Sequence, residues 1–210
     1  MKRLFSAALL LSAVSLSACS TVGGDSGYGF SSYSAVNVRR VSVGDDTLTV
    51  VAPRPWNRYR TNRFWDVRAV EDWTLNGPVL DGIMFVSGLK NNQAVVYQRR
   101  SDDQQVPVFR SDMTPPEITA MIESLFRVRA GALEFRTLGI KPRPFLGTNG
   151  FQFDYEHLDG DELWRKGRAV GAVVNGRLYL ILYDAARSHY YEAALPDFEA
   201  IVASAALRGS

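Results

Sequence analysis

The sequence predicts an α+β fold in which a central antiparallel sheet is covered by amphipathic helices. Three observations carry this. Short apolar alternations of period two recur along the chain between clusters of Gly, Pro, Asn and Asp. Two of these runs, 168–174 and 177–183, flank Asn175-Gly176, a pair suited to the positive φ angles of a type I′ hairpin turn. Two stretches, opening at Thr114-Pro115-Pro116-Glu117 and near Pro196, carry apolar residues at helical spacing, and each has one apolar face that needs a sheet to pack on.

The chain begins with an address rather than with structure. Met1-Lys2-Arg3 is a short positive region, residues 4–14 are an apolar run, and small residues follow. That order is the pattern of a secretory signal, and the run falls short of the roughly 20 residues that span a bilayer. Leu16-Ser17-Ala18-Cys19 is similar to the lipobox of bacterial lipoproteins. The resemblance implies cleavage before Cys19 and lipidation of that residue by a diacylglycerol thioether and an amide-linked acyl chain, such as palmitate. Two or more chains anchor stably, since each buried methylene contributes about 0.8 kcal/mol. Cys19 is the only cysteine in the sequence, so no intramolecular disulfide is possible and acylation accounts for an otherwise unpaired thiol in an exported chain. Ser20 is not the aspartate that holds enteric lipoproteins at the inner membrane. The resemblance therefore implies an outer-membrane lipoprotein facing the periplasm, with the inner membrane as the alternative.

The expected organisation is a signal at 1–18, a lipidated Gly/Ser-rich tether at 19–34 and one globular domain at 35–208. Loss of the signal removes Lys2 and Arg3 and leaves 22 basic against 22 acidic residues. A near-neutral chain that is exported is a poor candidate for nucleic-acid binding.

Within the domain, Val36, Val38, Val41 and Val43, then Leu48 and Val50 beyond Gly44-Asp45-Asp46, read as two strands around a turn. Pro53 and Pro55 open a loop leading to a strand at about 64–73. After Asn76-Gly77-Pro78, residues 79–87 read as a strand, and 95–97 as a short extended piece before a polar loop at 99–105. Thr114 at N-cap, Pro115 at N1 and Glu117 at N3 form a capping-box pattern, followed by Ile118, Met121, Ile122 and Leu125 on one face. Gly131 ends that helix and 133–140 returns to extended structure. Phe151, Phe153 and Tyr155 alternate with Gln152, Asp154 and Glu156, giving a strand with an aromatic face. Leu178-Tyr179-Leu180-Ile181-Leu182 is continuously apolar and reads as a central strand covered on both faces. Pro196 is expected near N1 of the last helix, which presents Phe198, Ile201, Val202 and Ala205.

The hairpin at 171–181, then Tyr190-Tyr191 and the helix at 198–204, resemble the close of PsbP-like and DcrB-like domains. That resemblance implies an α/β/α sandwich over about 36–207 in which bacterial members are often lipoproteins. It transfers no catalytic residue and no metal ligand.

Chemistry-bearing residues are sparse. His157 and His189 are the only histidines, and no HExxH, zinc or G-x-S-x-G pattern occurs, so no cofactor, metal or catalytic set is assigned. His157 with Asp154, Glu156, Asp159, Asp161 and Glu162 reads as a solvated acidic turn rather than a cation loop. Asp184 and His189 are a minor candidate for a dyad, against a structural histidine. The most unusual composition is Trp56, Arg58, Tyr59, Arg60, Arg63 and Trp65. Arginine forks beside aromatic faces hold glycans, carboxylates or phosphates, and the alternative is core aromatics with solvated arginines. The expected function is a lipid-anchored envelope module that binds a glycan or protein partner without catalysis. The rivals are an envelope hydrolase with an unfamiliar site, which a pocket of converging polar side chains would favour, and an accessory subunit of an envelope assembly.

Overall fold

A computed structural model of the chain describes residues 33–59 and 67–209. The signal and Cys19 lie outside these residues, as do Arg60, Arg63 and Trp65. The strands are β1 Tyr33–Val36, β2 Arg40–Val43, β3 Leu48–Val51, β4 Trp56–Tyr59, β5 Val70–Thr74 and β6 Asp81–Leu89. Helix α1, Pro115–Arg129, follows, then β7 Glu134–Pro142, β8 Phe151–Leu158, β9 Trp164–Val174 and β10 Arg177–Ala186, helix α2 Tyr190–Ser204 and β11 Ala206–Leu207. Eight strands form one antiparallel sheet in the order β1-β4-β5-β6-β10-β9-β8-β7, and β11-β3-β2 form a second. The eight-stranded sheet is two antiparallel runs joined along one seam, where β10 lies beside β6 from Leu178 opposite Leu89 to Ala185 opposite Asp81.

The last third forms as its pattern requires. Asn175 and Gly176 have φ of 50° and 72°, the left-handed values of a type I′ turn. Strand β10 is central and apolar on both faces. Leu178, Leu180 and Leu182 join a core with Ile118, Met121, Ile122 and Leu125 of α1. Tyr179, Ile181 and Tyr183 join the other core with Tyr191, Phe198, Ile201 and Val202 of α2 and with Val43, Leu48 and Val50 of the small sheet. The capping box opens α1 as expected, with Glu117 accepting from the Thr114 backbone N–H at 2.7 Å.

Several boundaries differ from the sequence reading. Tyr33 and Ser34, at the end of the expected tether, belong to β1, where Tyr33 pairs with Tyr59. Of the strand expected at 64–73, residues 64–66 lie outside the described residues, 67–69 form no strand, and β5 is Val70–Thr74. Residues 95–97 form no strand; Val95 is buried in the α1-side core, and only Gln93 bridges to Phe109. The largest difference is α2, which begins at Tyr190 and so places Pro196 inside the helix rather than at N1. Proline lacks the N–H that would bond to the carbonyl four residues earlier, at a cost of about 3 kcal/mol. Tyr191, Ala194, Phe198 and Ile201 are all nearly inaccessible on the sheet side, and large buried side chains contribute about 1.5–3 kcal/mol each, which outweighs the missing bond.

Candidate functional site

Of the stretch singled out by composition, Trp56, Arg58 and Tyr59 divide between the two faces of β4. Trp56 is 1% exposed and packs in the α2-side core. Arg58, on the same face, forms a 2.6 Å ion pair with Glu71, donates to the Ser42 carbonyl and lies 5.7 Å from the Trp73 ring centre. Its charge is engaged inside the protein, and Glu71 also accepts from Trp73 Nε1 at 2.6 Å and the Gly44 N–H at 3.0 Å. Tyr59 points to the opposite face, as strand alternation demands, and meets Tyr33 edge-on at 5.7 Å.

Tyr59 and Tyr33 stand on the wall of a cleft of about 770 Å³ between the sheet and the C-terminal end of α1. Its interior is apolar, with Met84, Leu125, Phe126 and Leu182. Its floor is polar and comes from three adjacent strands. Tyr155 of β8, Gly167 of β9, Asp184 of β10 and Gly82 of β6 lie opposite one another in register across four strands. Gly167 is what lets these groups meet. A Cβ there would fall 2.0 Å from the Tyr155 ring, so glycine allows the ring to lie across β9 and reach Asp184.

Asp184 Oδ2 accepts from the Tyr155 hydroxyl at 3.1 Å and from His157 Nε2 at 2.9 Å, while Oδ1 accepts from Arg165 Nε. Arg165 also donates to the Val79 carbonyl at 2.5 Å. Burial alone would raise the Asp184 pKa, but the bonds and charges of His157 and Arg165 outweigh it and hold the carboxyl below its ordinary value. Burial, reinforced by Asp184, pushes the Tyr155 phenol well above its ordinary value. The resting state is thus a carboxylate receiving three donors. His157 Nε2 carries its proton towards that carboxylate, and the remaining nitrogen, Nδ1, is buried with no hydrogen-bond partner among the described residues. Phe126 lies 4.6 Å from the imidazole, centre to centre.

This arrangement corrects two expectations. His157 is not part of a solvated turn: it lies within β8, with its side chain 2% exposed. The histidine that meets Asp184 is His157, whereas His189 occupies the N-cap of α2 and faces Tyr190 edge-on. The acidic turn beside it is self-contained, with Asp159 accepting from the Asp161 and Leu163 N–H groups at 3.0 and 2.9 Å. No group of three or more His, Cys, Asp or Glu among the described residues is placed to hold a metal ion. The sequence did hold a signal for His157: the alternation Phe151, Phe153, Tyr155 continues to 157 and puts the imidazole on the aromatic face. Arg165 and Gly167 carried no such signal, because their role depends on the register of β9 between its neighbours.

No family model matches the chain, and no curated protein matches its sequence. Among solved structures it is similar to the cyanobacterial PsbP, CyanoP, from Synechocystis sp. PCC 6803, at a TM-score of 0.53 and 14% identity over 89% of this chain and 99% of that one. LpqN, described as involved in cell envelope biogenesis of Mycobacterium tuberculosis, aligns at a TM-score of 0.35 and 11% identity over 84% of each chain. The fold is PsbP-like. At this identity the likeness to CyanoP extends to the fold alone.

Proposed function

We propose that the chain is a lipid-anchored module of the bacterial envelope, held by Cys19 at the periplasmic face of the outer membrane, that binds a ligand in the cleft without transforming it. It would have the α/β/α layering of the PsbP-like fold. The observation that carries the binding role is the cleft itself: about 770 Å³, apolar walls and a preorganised polar floor, within the size range and chemistry of small-molecule sites. Its floor favours holding over reacting. Tyr155, His157 and Arg165 all spend donors on Asp184, and the one hydroxyl-bearing aliphatic residue among the described residues of the lining, Thr74, donates to Asp81 at 2.9 Å, which leaves no activated nucleophile among them. The convergence of polar groups is also the observation that would favour the second reading, an envelope hydrolase with an unfamiliar site.

One experiment separates them. Full-length protein extracted from membranes in a gentle detergent is weighed by native mass spectrometry beside Gly82→Leu, a substitution that fills the floor; a Cβ at 82 meets only the Trp73 carbonyl oxygen, at 3.6 Å. The expected result is acylated Cys19 in both and a bound small molecule in the native form only. A bound species retained in the variant, or none in either, removes the cleft from the function. Turnover of an envelope substrate that disappears in folded Asp184→Asn would replace the binder with an enzyme.

A further inference from the structure

The eight-stranded sheet ends on β7, which has β8 on one side and no strand on the other among the described residues. At the opposite end β1 is four residues long, whereas β7 has nine. Residues 136–142 are all exposed, and Leu138 and Ile140, with Leu133 just before the strand, are large apolar side chains open to solvent. A long edge of unpaired backbone groups flanked by apolar side chains is a template for a further strand.

The bulge in β7 limits what that strand can be. Thr137 lies opposite Tyr155 and Gly139 opposite Asp154, so Leu138 is an extra residue and the alternation shifts by one there. Phe135, Thr137, Ile140 and Pro142 therefore share the α1 face of the sheet, and Glu134, Arg136, Gly139 and Lys141 share the α2 face. Residues directly opposite in an antiparallel pair point to one face. For a second β7 related by a two-fold axis through the bulges, only two registers match faces along the whole strand. One sets Arg136 opposite Lys141 of the second copy, and like charges meet. The other sets Glu134 opposite Lys141, Phe135 opposite Ile140 and Leu133 opposite Pro142 of the second copy, each contact made twice. Opposite charges then meet on one face and apolar side chains on the other. Lys141 is exposed and has no ion pair among the described residues to give up. Glu134 keeps its bond from Arg136 at 2.6 Å, since a carboxylate accepts several donors. Arg136 faces Gly139 of the second copy, which leaves it room to stay over the Trp164 ring, 5.0 Å from its centre. We propose that this edge is a homodimer interface, in which two copies pair antiparallel through β7 in the second of these registers and run their large sheets together.

The test uses full-length protein extracted in a neutral maltoside detergent and weighed by native mass spectrometry across a dilution series. A dimer is expected. Glu134→Lys or Lys141→Glu should each weaken it about tenfold, by setting two like-charge pairs across the axis, and the double exchange should restore it to within about threefold. Amide hydrogen exchange on the same samples gives a second reading. Residues 134–142 are expected to exchange more slowly as the dimer fills, while 33–36 at the other edge are unchanged. A monomer at every concentration would overturn the interface. So would a dimer that the single exchanges leave intact or that the double exchange fails to restore. Protection that grows with concentration at β1 in place of β7, or β7 amides all protected in the monomer by some other strand, would overturn it as well.

Discussion

At the scale of single residues, the floor of the cleft depends on a missing side chain. With a Cβ at 167 falling 2.0 Å from the Tyr155 ring, Gly167→Ala forces the ring off β9 or the strands apart. The expected loss is about 3 kcal/mol, at the upper end of overpacking, read as a lower urea midpoint. Tyr155→Phe keeps the ring and removes only the bond to Asp184, so a smaller loss of about 1 kcal/mol is expected by the same measurement. The titration behaviour follows from the same contacts. The folded pKa of Asp184 lies below its unfolded value, so its contribution is complete above about pH 4 and is lost as pH falls through the folded value. Tyr155 is raised well above its ordinary value and Tyr191 is pushed up to about 12; their contribution is complete below about pH 10 and is lost as pH rises. Denaturant midpoints measured across pH should therefore give a plateau bounded by these two limbs, and Asp184→Asn should flatten the acid limb. Of these residues the sequence placed Tyr155, through alternation, and read His157 as a solvated turn although the same alternation reaches it. Asp184 was paired in the sequence reading with His189, five residues on, and nothing local says that a tyrosine two strands away will cross a glycine to meet it.

At the scale of elements, punctuation that acts locally was legible. Asn175-Gly176 turned the hairpin and Thr114 with Glu117 opened α1, because each fixes backbone geometry within four residues. Pro196 was misleading for the opposite reason: its preference for a helix start is a local tendency, and the burial of Tyr191 and Ala194 upstream of it is tertiary. That difference is measurable. Pro196→Ala restores a helical N–H and relieves the ring's crowding, while loosening the unfolded chain slightly. A net gain of about 1 kcal/mol is expected, seen as a higher melting temperature. Thr114→Ala should cost about 1 kcal/mol by the same measurement, through loss of the cap.

At the scale of the whole molecule, the α+β class could be inferred from the sequence but strand order could not. An antiparallel sheet with two covering helices follows from the counts and patterns of elements. The pairing of β1 with β4 past an intervening hairpin, and of β6 with β10 across α1 and three strands, is decided by which faces must be buried together. The cleft lies on the α1 side of that second junction, so the candidate site was beyond reach for the same reason as the strand order. The seam between β6 and β10 also divides the chain in sequence: every strand before α1 in the eight-stranded sheet lies on one side of it and every strand after α1 on the other. A break in the polar loop at 99–105 would sever no rung of either sheet. The two halves should therefore reassemble when co-expressed as separate polypeptides, and a cut at that loop would turn the domain into a bipartite reporter whose signal depends on complementation along the β6–β10 seam and the short β3–β11 pairing.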